Sequence, residues 1–317
     1  MSKIRKLSVV IPVFNEEKSL KILHETIKSV LDKISAKKGK NYEIIFIDDG
    51  SSDRSFSVLK NIHSNNKESV RLIKLRKNFG KGAALSCGFK HAKGDCVITI
   101  DSDLQDSPEE MPRFIEKLDQ GFDVVSGWKV ARKDPLPKKI FSYFFNIFAS
   151  FAMGFKLHDV NCGIKAYKSE VLSEVEIYGD LYRFIPLLAY RKGFKVCEIP
   201  VKHYARKYGR SKYGWKRLFG GSLDLLTVFF ITHYKNKPLH FFGILGIILF
   251  LLGFSTALFI TLLKITTGTI QGHIPLLLFS ILSIIVGVQL ISLGLLGELY
   301  SSNSKKKEYL VEFTTYK

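Results

Sequence analysis

The sequence predicts an α/β domain built on a mostly parallel sheet, followed by amphipathic helices and a two-helix membrane hairpin. Short apolar runs alternate with amphipathic stretches over residues 1 to about 130, a pattern typical of βαβ units. Two long uncharged apolar runs lie near the C-terminus. The chain carries a net charge of +19 although 46% of its residues are hydrophobic. This combination excludes a disordered basic protein and requires that the apolar residues be segregated.

Five short apolar runs are predicted to be buried strands, because they are short and are bounded by turn-forming or polar residues. These are LSVVIPV at 7–13, YEIIFID at 42–48, VRLIKL at 70–75, CVITI at 96–100 and DVVS at 123–126. The stretches between them predict helices at 16–34, 52–64, 82–91 and 108–120. A doubly wound sheet of this kind binds its ligands at the carboxyl ends of the strands.

The two uncharged runs, 239–263 and 274–297, are each long enough to cross a membrane. About 20 helical residues span a hydrocarbon core of roughly 30 Å. Two buried helices of a soluble core are the alternative. Lysines flank the outer ends of the pair, whereas the connecting loop offers one, so both termini are predicted to be cytoplasmic. These lysines are Lys235 and Lys237 before the pair, Lys305, Lys306 and Lys307 after it, and Lys264 between the helices.

Most of the positive charge lies between the α/β region and the first apolar run. Residues 129–237 contain 21 Lys and Arg against 8 Asp and Glu, a net of +13. Two aromatic apolar stretches in this region, 140–155 and 218–234, predict helices in a membrane interface, with a core helix as the alternative for the first. A basic patch also suits nucleic acid, but the membrane spans and the acidic motif described next argue against that partner.

Carboxylates follow the fourth predicted strand in the order Asp101-Ser102-Asp103-Leu104-Gln105. Two carboxylates at i and i+2, followed by a carboxamide, suit a hard divalent cation that also takes phosphate oxygens. Mg²⁺ or Mn²⁺ would neutralise a diphosphate leaving group. A DxD by itself is more often a solvated turn; its position after a strand of an α/β domain favours the metal instead.

Polar residues also follow the first two strands, at the edge where a nucleotide would lie. Asp48 and Asp49 are predicted to accept hydrogen bonds from a base or ribose, and Phe14 to pack on a base. The segment DDGSSD is otherwise a turn with a helix cap. Lys81 lies in a glycine-containing basic loop after the third strand and suits phosphate.

Four motifs, VVIPVFNEE, FIDDGSSD, RNFGKGAALSCGF and TIDSDLQDSPE, resemble in order and spacing the inverting family 2 glycosyltransferases with a GT-A fold. The segments NCGIKAY, RKYGRSKYG and KNKPLHFFG are more narrowly similar to polyprenyl-phosphate glycosyltransferases related to dolichol-phosphate mannose synthase. The resemblance covers about residues 5 to 300 and implies a Rossmann-like domain. No QxxRW-like segment is present, which argues against the processive polysaccharide synthases.

The resemblance implies roles for individual residues of the donor site. Nucleotide contacts are implied for Pro12, Phe14, Glu16, Asp48 and Asp49. Lys81, Asp101 and Ser102 are expected to contact the nucleotide sugar as well. Metal and diphosphate are implied to bind Asp101, Asp103 and Gln105.

The acceptor phosphate is expected to meet the basic residues Lys129, Arg132, Arg206, Arg210, Ser211 and Lys212. A solvated or headgroup-binding basic segment is the alternative for 206–212. Catalytic roles are predicted for Asp103, Asp159, Arg210 and Lys212. Asp159 is a general base if the acceptor is a hydroxyl, but a phosphate monoester, with a second pKa of about 6, is already ionised. Asp159 is then a positioner, and both roles stay open.

The sequence therefore predicts a membrane-anchored transferase that moves one sugar from a UDP- or GDP-linked donor to undecaprenyl or dolichyl phosphate with inversion, at the cytoplasmic face of the inner membrane. The predicted parts are a GT-A domain at 1–215, an interface helix at 216–238, the membrane hairpin at 239–300 and a cytoplasmic tail at 301–317. Anionic lipid is the expected surface. A hydroxyl-acceptor glycosyltransferase, a nucleotidyltransferase, and a noncatalytic scaffold or lipid-translocating subunit are the alternatives. Glycines in the hairpin leave a homo-oligomer open.

Overall fold

The computed structural model of the chain describes residues 4–130, 154–155, 157–175, 179–204 and 237–302, with the pairs 226–227, 229–230 and 233–234. The chain divides into two compact units, Met1–Val228 and Phe229–Lys317. Most of the predicted interface helices at 140–155 and 216–238, and nearly all of the tail, lie outside the described residues.

The first unit contains a seven-stranded sheet in the order β3-β2-β1-β4-β6-β5-β7. Only β6 is antiparallel to its neighbours within this described sheet. The strands are β1 Lys6–Val13, β2 Asn41–Asp48, β3 Val70–Lys74, β4 Cys96–Thr99, β5 Val124–Lys129, β6 Lys165–Lys168 and β7 Val196–Val201. The mostly parallel α/β fold and the five predicted strands are confirmed.

The strands β6 and β7 were absent from the sequence prediction, for two physical reasons. The sequence of β6, KAYK, has a lysine at each end of only four residues and shows no apolar run. The sequence of β7, VCEIPV, contains Glu198 and Pro200, and Pro is tolerated here because β7 lies at the edge of the sheet.

Helices cover both faces of the sheet, as a doubly wound fold requires. On one face, Leu23 and Ile27 of α1 and Phe114 of α4 pack against β1, β2 and β4. On the other, Leu85 of α3 and Ile185 of α6 form a second cluster. The helices of this unit are α1 Leu20–Lys38, α2 Ser55–Asn65, α3 Lys81–His91, α4 Met111–Asp119, α5 Ser169–Glu174 and α6 Ile185–Arg191. Short 3₁₀ helices occupy Pro108–Glu110 and Gly179–Phe184.

The helix predicted at 16–34 begins later than expected, at Leu20. Asn15 has a positive φ of 53°, and the N–H of Ser19 donates to the carbonyl of Glu16 at 3.1 Å. Residues 15–19 therefore form a turn, which leaves the end of β1 free to line the carboxyl edge of the sheet.

The second unit contains two long apolar helices, α7 Pro238–Thr267 and α8 Ile274–Ser302. Both are long and apolar enough to cross a membrane, with mean hydropathy 2.5 in their most apolar windows. Only 22% and 17% of those windows are buried, whereas a helix in a soluble core is mostly buried. The predicted spans at 239–263 and 274–297 fall within these helices.

Glycines bring α7 and α8 into close contact. A Cβ on Gly246 would lie 2.7 Å from the carbonyl oxygen of Gly287, and one on Gly253 would lie 2.6 Å from that of Ser280. At the open end of the hairpin, the N–H of Leu239 donates to Glu298 Oε2 at 3.3 Å. Gly246, Gly253 and Gly287 are therefore used inside one hairpin, and they supply no argument for an oligomer.

Candidate functional site

Asn15 joins the ends of β1 and β2 at the carboxyl edge of the sheet. Its Oδ1 accepts a hydrogen bond from the N–H of Ser52 at 2.8 Å, and its own N–H donates to Ser51 Oγ at 3.0 Å. These bonds close the loop after β2 over the end of β1. Sequence reasoning did not single out Asn15, although a side chain that tolerates positive φ directly after a strand is the signal that would have found it.

The two carboxylates that end β2 have different surroundings. Asp48 is fully buried; its Oδ1 accepts from the N–H of Ser51 at 3.2 Å, while Oδ2 has no hydrogen-bond partner in the described part of the chain. Asp49 accepts from the N–H groups of Phe79 and Gly80 at 2.8 and 2.9 Å. Burial raises the pKa of Asp49 above its ordinary value. Asp48 therefore keeps one oxygen that can accept a hydrogen bond from a ligand, whereas both oxygens of Asp49 hold the loop before α3.

The other predicted nucleotide contacts surround this pair. Pro12 is buried at the end of β1 and Phe14 is half-buried. Glu16 is 8% exposed, and its N–H donates to Ser55 Oγ at 2.8 Å. The structure thus places these three residues beside Asp48 and Asp49 at one edge of the sheet.

Asp101 and Asp103 lie in the turn that follows β4. Asp101 forms an ion pair with Lys81, the first residue of α3, and the Lys81 ammonium lies 5.4 Å from the ring centroid of Tyr182. Asp103 Oδ1 accepts from the N–H of Gln105 at 3.2 Å. Leu104 has a φ of 61°, which is uncommon for a residue other than glycine and marks a tight, constrained turn.

Gln105 fastens this turn to the segment after β7. Its carbonyl accepts from the N–H of Tyr204 at 2.9 Å, and its Nε2 donates to the carbonyl of Tyr204 at 3.3 Å. This bond occupies the amide nitrogen and leaves the Oε1 lone pairs for another partner. Ser102 is buried within the turn.

Gly163 allows two carboxylates to approach the same point. A Cβ there would lie 2.4 Å from Asp106 Oδ2 and 2.7 Å from the carboxyl carbon of Asp101. Only hydrogen fits between them. The motif NCGIKAY therefore contributes the glycine that lets Asp101 and Asp106 approach the backbone, as well as most of the strand β6.

A buried ionic cluster of Asp106, Lys129 and His203 lies next to the DxD turn. Asp106 is 2% exposed, and its Oδ1 lies 3.6 Å from both Lys129 Nζ and His203 Nδ1. Burial acts to raise the pKa of Asp106, but Lys129 and His203 outweigh it, so that this pKa lies below its ordinary value. Burial acts to lower the pKa of Lys129, yet Asp106 and neighbouring acidic groups hold it above its ordinary value.

This cluster changes the interpretation of Lys129. Its side chain was predicted to meet the acceptor phosphate, but the side chain is only 13% exposed and its ammonium faces Asp106. The structure therefore gives Lys129 an internal partner. The remaining predicted acceptor residues, Arg132, Arg206, Arg210, Ser211 and Lys212, lie outside the described residues.

Asp159 lies in the loop before β6 and is 1% exposed. Its Oδ1 accepts from the N–H of Asn161 at 3.1 Å, and its own N–H donates to Glu198 Oε1 at 3.2 Å. Glu198 Oε2 also accepts from the N–H of His158 at 2.8 Å. The loop is thus held firmly by Glu198 of β7, which sequence reasoning did not identify.

Lys165 is a second residue that sequence reasoning missed. It is 3% exposed on β6, and its Nζ donates to the carbonyls of Val160 and Arg183 at 2.9 and 3.0 Å. Burial, together with nearby Lys81, lowers the pKa of Lys165 to about 8. No sequence pattern marks a lysine as buried, so the structure was needed to find it.

Among the residues that the structure describes, no group of three or more His, Cys, Asp or Glu side chains is arranged to hold a metal. The expected ligand set contains only two residues of these types, Asp101 and Asp103, and its third member is the carboxamide of Gln105. It matches a cation that takes its other ligands from phosphate oxygens or water.

The chain is similar to known proteins along almost its whole length. Residues 8–176 match the family model Glycosyl transferase family 2. An undecaprenyl-phosphate 4-deoxy-4-formamido-L-arabinose transferase from Edwardsiella ictaluri is 37% identical over 98% of this chain and 94% of its own length. A dodecaprenyl-phosphate galacturonate synthase from Rhizobium johnstonii is 33% identical over 96% of this chain and 92% of its own.

Among solved structures, glucosyl-3-phosphoglycerate synthase from Mycobacterium tuberculosis, in complex with Mn²⁺ and UDP-glucose, is similar in fold. Its TM-score is 0.55 at 20% identity, covering 72% of this chain and 79% of that one. At this identity the likeness concerns the fold alone.

Proposed function

The chain belongs to glycosyl transferase family 2, and we propose that it transfers one sugar from a nucleoside-diphosphate donor to a polyprenyl phosphate. The observation that carries the proposal is the extent of the similarity. Relatives named for undecaprenyl-phosphate and dodecaprenyl-phosphate chemistry match 98% and 96% of the chain, so the match includes the apolar hairpin as well as the α/β unit.

The donor is proposed to bind across the carboxyl ends of β1, β2 and β4. Asp48 Oδ2, buried and without a hydrogen-bond partner in the described residues, suits an N–H or O–H of the nucleoside. Phe14 offers an apolar surface beside it. The closed loop around Asn15 fixes both groups before the donor arrives.

A divalent cation, Mg²⁺ or Mn²⁺, fits the residues after β4. Asp101, Asp103 and Gln105 supply hard oxygen ligands of the kind these ions prefer, and Gly163 keeps the side of Asp101 free of a side chain. When bound, the ion neutralises negative charge that develops on the departing diphosphate. Lys81 pairs with Asp101, and it is proposed to bind diphosphate oxygens of the donor when Asp101 holds a cation.

The proposed transfer is a single displacement. A nonbridging oxygen of the lipid phosphate forms a bond to C1 of the sugar, while the bond from C1 to the diphosphate oxygen breaks and the nucleoside diphosphate leaves with the electron pair. The configuration at C1 inverts. The acceptor needs no general base, because a phosphate monoester has a second pKa of about 6, so Asp159 is proposed to position rather than to deprotonate.

The hairpin is proposed to anchor the enzyme in the cytoplasmic membrane. The exposed apolar surfaces of α7 and α8 suit lipid, and the flanking lysines favour cytoplasmic termini. The basic region at 129–237 is proposed to receive the phosphate headgroup, with Arg206, Arg210, Ser211 and Lys212 as proposed acceptor contacts.

The test uses the full chain purified in nanodiscs with Mg²⁺ or Mn²⁺, undecaprenyl phosphate and a panel of labelled UDP- and GDP-linked sugars. We expect one donor to give a labelled lipid. The absence of labelled lipid with every donor, while free sugar or another product accumulates, would exclude the proposed acceptor.

A further inference from the structure

Lys165 is a buried cation for which the proposed transfer has no direct use. The residue is 3% exposed on the four-residue strand β6. Its hydrogen bonds go to two backbone carbonyls, those of Val160 and Arg183. Burying an ammonium is unfavourable unless it is well paired, and methionine would fill a similar volume without that cost. A lysine at position 165 therefore costs stability that an apolar side chain of similar volume would not cost.

The two carbonyls belong to segments that reach the candidate site from different directions. Val160 follows Asp159 in the loop before β6. Arg183 follows Tyr182 in the 3₁₀ helix Gly179–Phe184, and the ring of Tyr182 lies 5.4 Å from the ammonium of Lys81. Because Lys81 is paired with Asp101, a single ammonium group links the Asp159 loop to the residues around the donor diphosphate.

The Asp159 loop is irregular backbone and the other segment is a single short 3₁₀ helix, so neither of them is a strand of the sheet. The Asp159 loop is held by Glu198, which belongs to β7 and not to the 3₁₀ helix. Leu157 and Val160 share an apolar cluster with Leu181 and Phe184, but apolar contacts are not directional. The two hydrogen bonds of Lys165 provide a directional link between the two segments.

We propose that Lys165 is a positioning residue that sets the separation between the Asp159 loop and the Lys81–Asp101 pair, and so aligns the acceptor phosphate with the donor. This inference rests on the proposed function. Lys165 touches neither substrate. Its effect falls on the alignment of the two reactants, so that the turnover number depends on it and donor binding does not.

The experiment compares steady-state lipid glycosylation by wild type, Lys165→Met, Lys165→Gln and the control Lys168→Met. Lys168 lies on the same strand, is 21% exposed, and donates to Asp123 Oδ1 at 2.6 Å at the opposite edge of the sheet. Methionine removes both hydrogen bonds, whereas glutamine keeps two N–H donors without the charge. Nucleotide affinity and thermal unfolding are measured on the same preparations.

For Lys165→Met we expect kcat to fall about 100-fold, as small misplacements of reacting groups do, with the donor KM and nucleotide affinity nearly unchanged. Lys165→Gln should recover part of the loss, and Lys168→Met should keep wild-type kcat. A Lys165→Met enzyme with wild-type kcat would overturn the inference, as would parallel losses of kcat and nucleotide affinity in Lys165→Gln. Wild type that makes no glycosylated lipid would instead refute the proposed function.

Discussion

The two edges of the sheet differ in how fully their buried carboxylates are hydrogen-bonded. At the amino-terminal edge, Glu43 accepts from Ser8 Oγ at 2.6 Å and from the N–H of Lys93 at 2.7 Å. Asp95 accepts from the N–H of Arg5 at 2.8 Å. Each of these carboxylates is satisfied by hydrogen bonds from within the chain, and the bonds connect neighbouring strands and loops.

The carboxyl-terminal edge contains a buried acceptor that the described residues leave without a hydrogen bond, Asp48 Oδ2. Asn15 and Leu104, the described non-glycine residues with positive φ, are also at this edge. Unsatisfied buried groups and constrained backbone each cost stability. The comparison teaches that hydrogen bonds at one edge stabilise the fold, while the other edge carries a buried unpaired acceptor and constrained backbone at a cost in stability.

The largest expected effect is that of Asp103→Ala on the carboxyl edge. Electrostatic stabilisation by a bound cation is worth several kcal/mol, and 1.36 kcal/mol is tenfold in rate. We therefore expect a loss of about 10³-fold or more in kcat, with thermal unfolding unchanged. The proposed metal role would be wrong if the variant turned over at the wild-type rate or bound Mn²⁺, measured by electron paramagnetic resonance, as wild type does.

A pair of glycine substitutions compares the edges directly. In Gly163→Ala the new Cβ collides with Asp106 and Asp101, so we expect about 100-fold lower kcat from displaced groups. In Gly94→Ala the Cβ would lie 2.7 Å from Ser8 Oγ, and overpacking should cost about 1–3 kcal/mol with full activity per folded molecule. Urea unfolding measures the loss of stability, and single-turnover rates measure the loss of activity. If Gly163→Ala and Gly94→Ala lost the same stability and the same activity, the proposed difference between the edges would be wrong.

Asp159→Asn tests whether this buried carboxylate positions or deprotonates. With an ionised phosphate as nucleophile we expect less than about a 10-fold fall in kcat, because general-base catalysis, typically worth 10²–10⁴-fold, is not needed. The pH–rate profile is the measurement. A loss of 10²-fold or more, together with disappearance of an acid limb seen in wild type, would favour a hydroxyl acceptor instead.

Glu43→Gln on the amino edge should leave activity unchanged and lower stability by about 1–3 kcal/mol. Burial acts to raise the pKa of Glu43, but hydrogen bonds from Ser8 and Lys93 and the charge of Lys6 outweigh it, so the folded pKa lies below its ordinary value. Its stabilisation is therefore present above the unfolded pKa and lost as pH falls through the folded value.

Thermal melts of wild type and Glu43→Gln at a series of pH values measure this dependence. The difference in Tm should be largest near neutral pH and should shrink below about pH 4. A difference that grows towards acid pH would have the wrong sign for this account.

The parts of the fold that follow from local pattern were predictable from the sequence. Apolar runs such as LSVVIPV at β1 and the uncharged stretches of α7 and α8 mark their elements by composition. The strand β6 was not predictable, because Lys165 and Lys168 at its ends conceal its burial. The site shows the same division. Asp48 ends a strand and Asp101 and Asp103 follow one, and these residues were found by position.

What the sequence could not show depends on contacts between distant segments. Lys129 looked like a free cation after a strand, yet it faces Asp106 from 23 positions away. Asp49 looked like a ligand contact, yet its oxygens accept from the loop before α3. Pairing of this kind is set by the packing of β5 and α3 around the site, which no local pattern reports.

The most direct test of the central claim is acceptor discrimination by the purified full chain. Undecaprenyl phosphate and undecaprenol are each supplied with the donor selected by the panel, and lipid products are analysed by mass spectrometry and phosphorus NMR. We predict that only the phosphate is glycosylated, giving a phosphodiester that carries one added sugar. Equal glycosylation of undecaprenol, or transfer of a sugar phosphate to either lipid, would contradict the account.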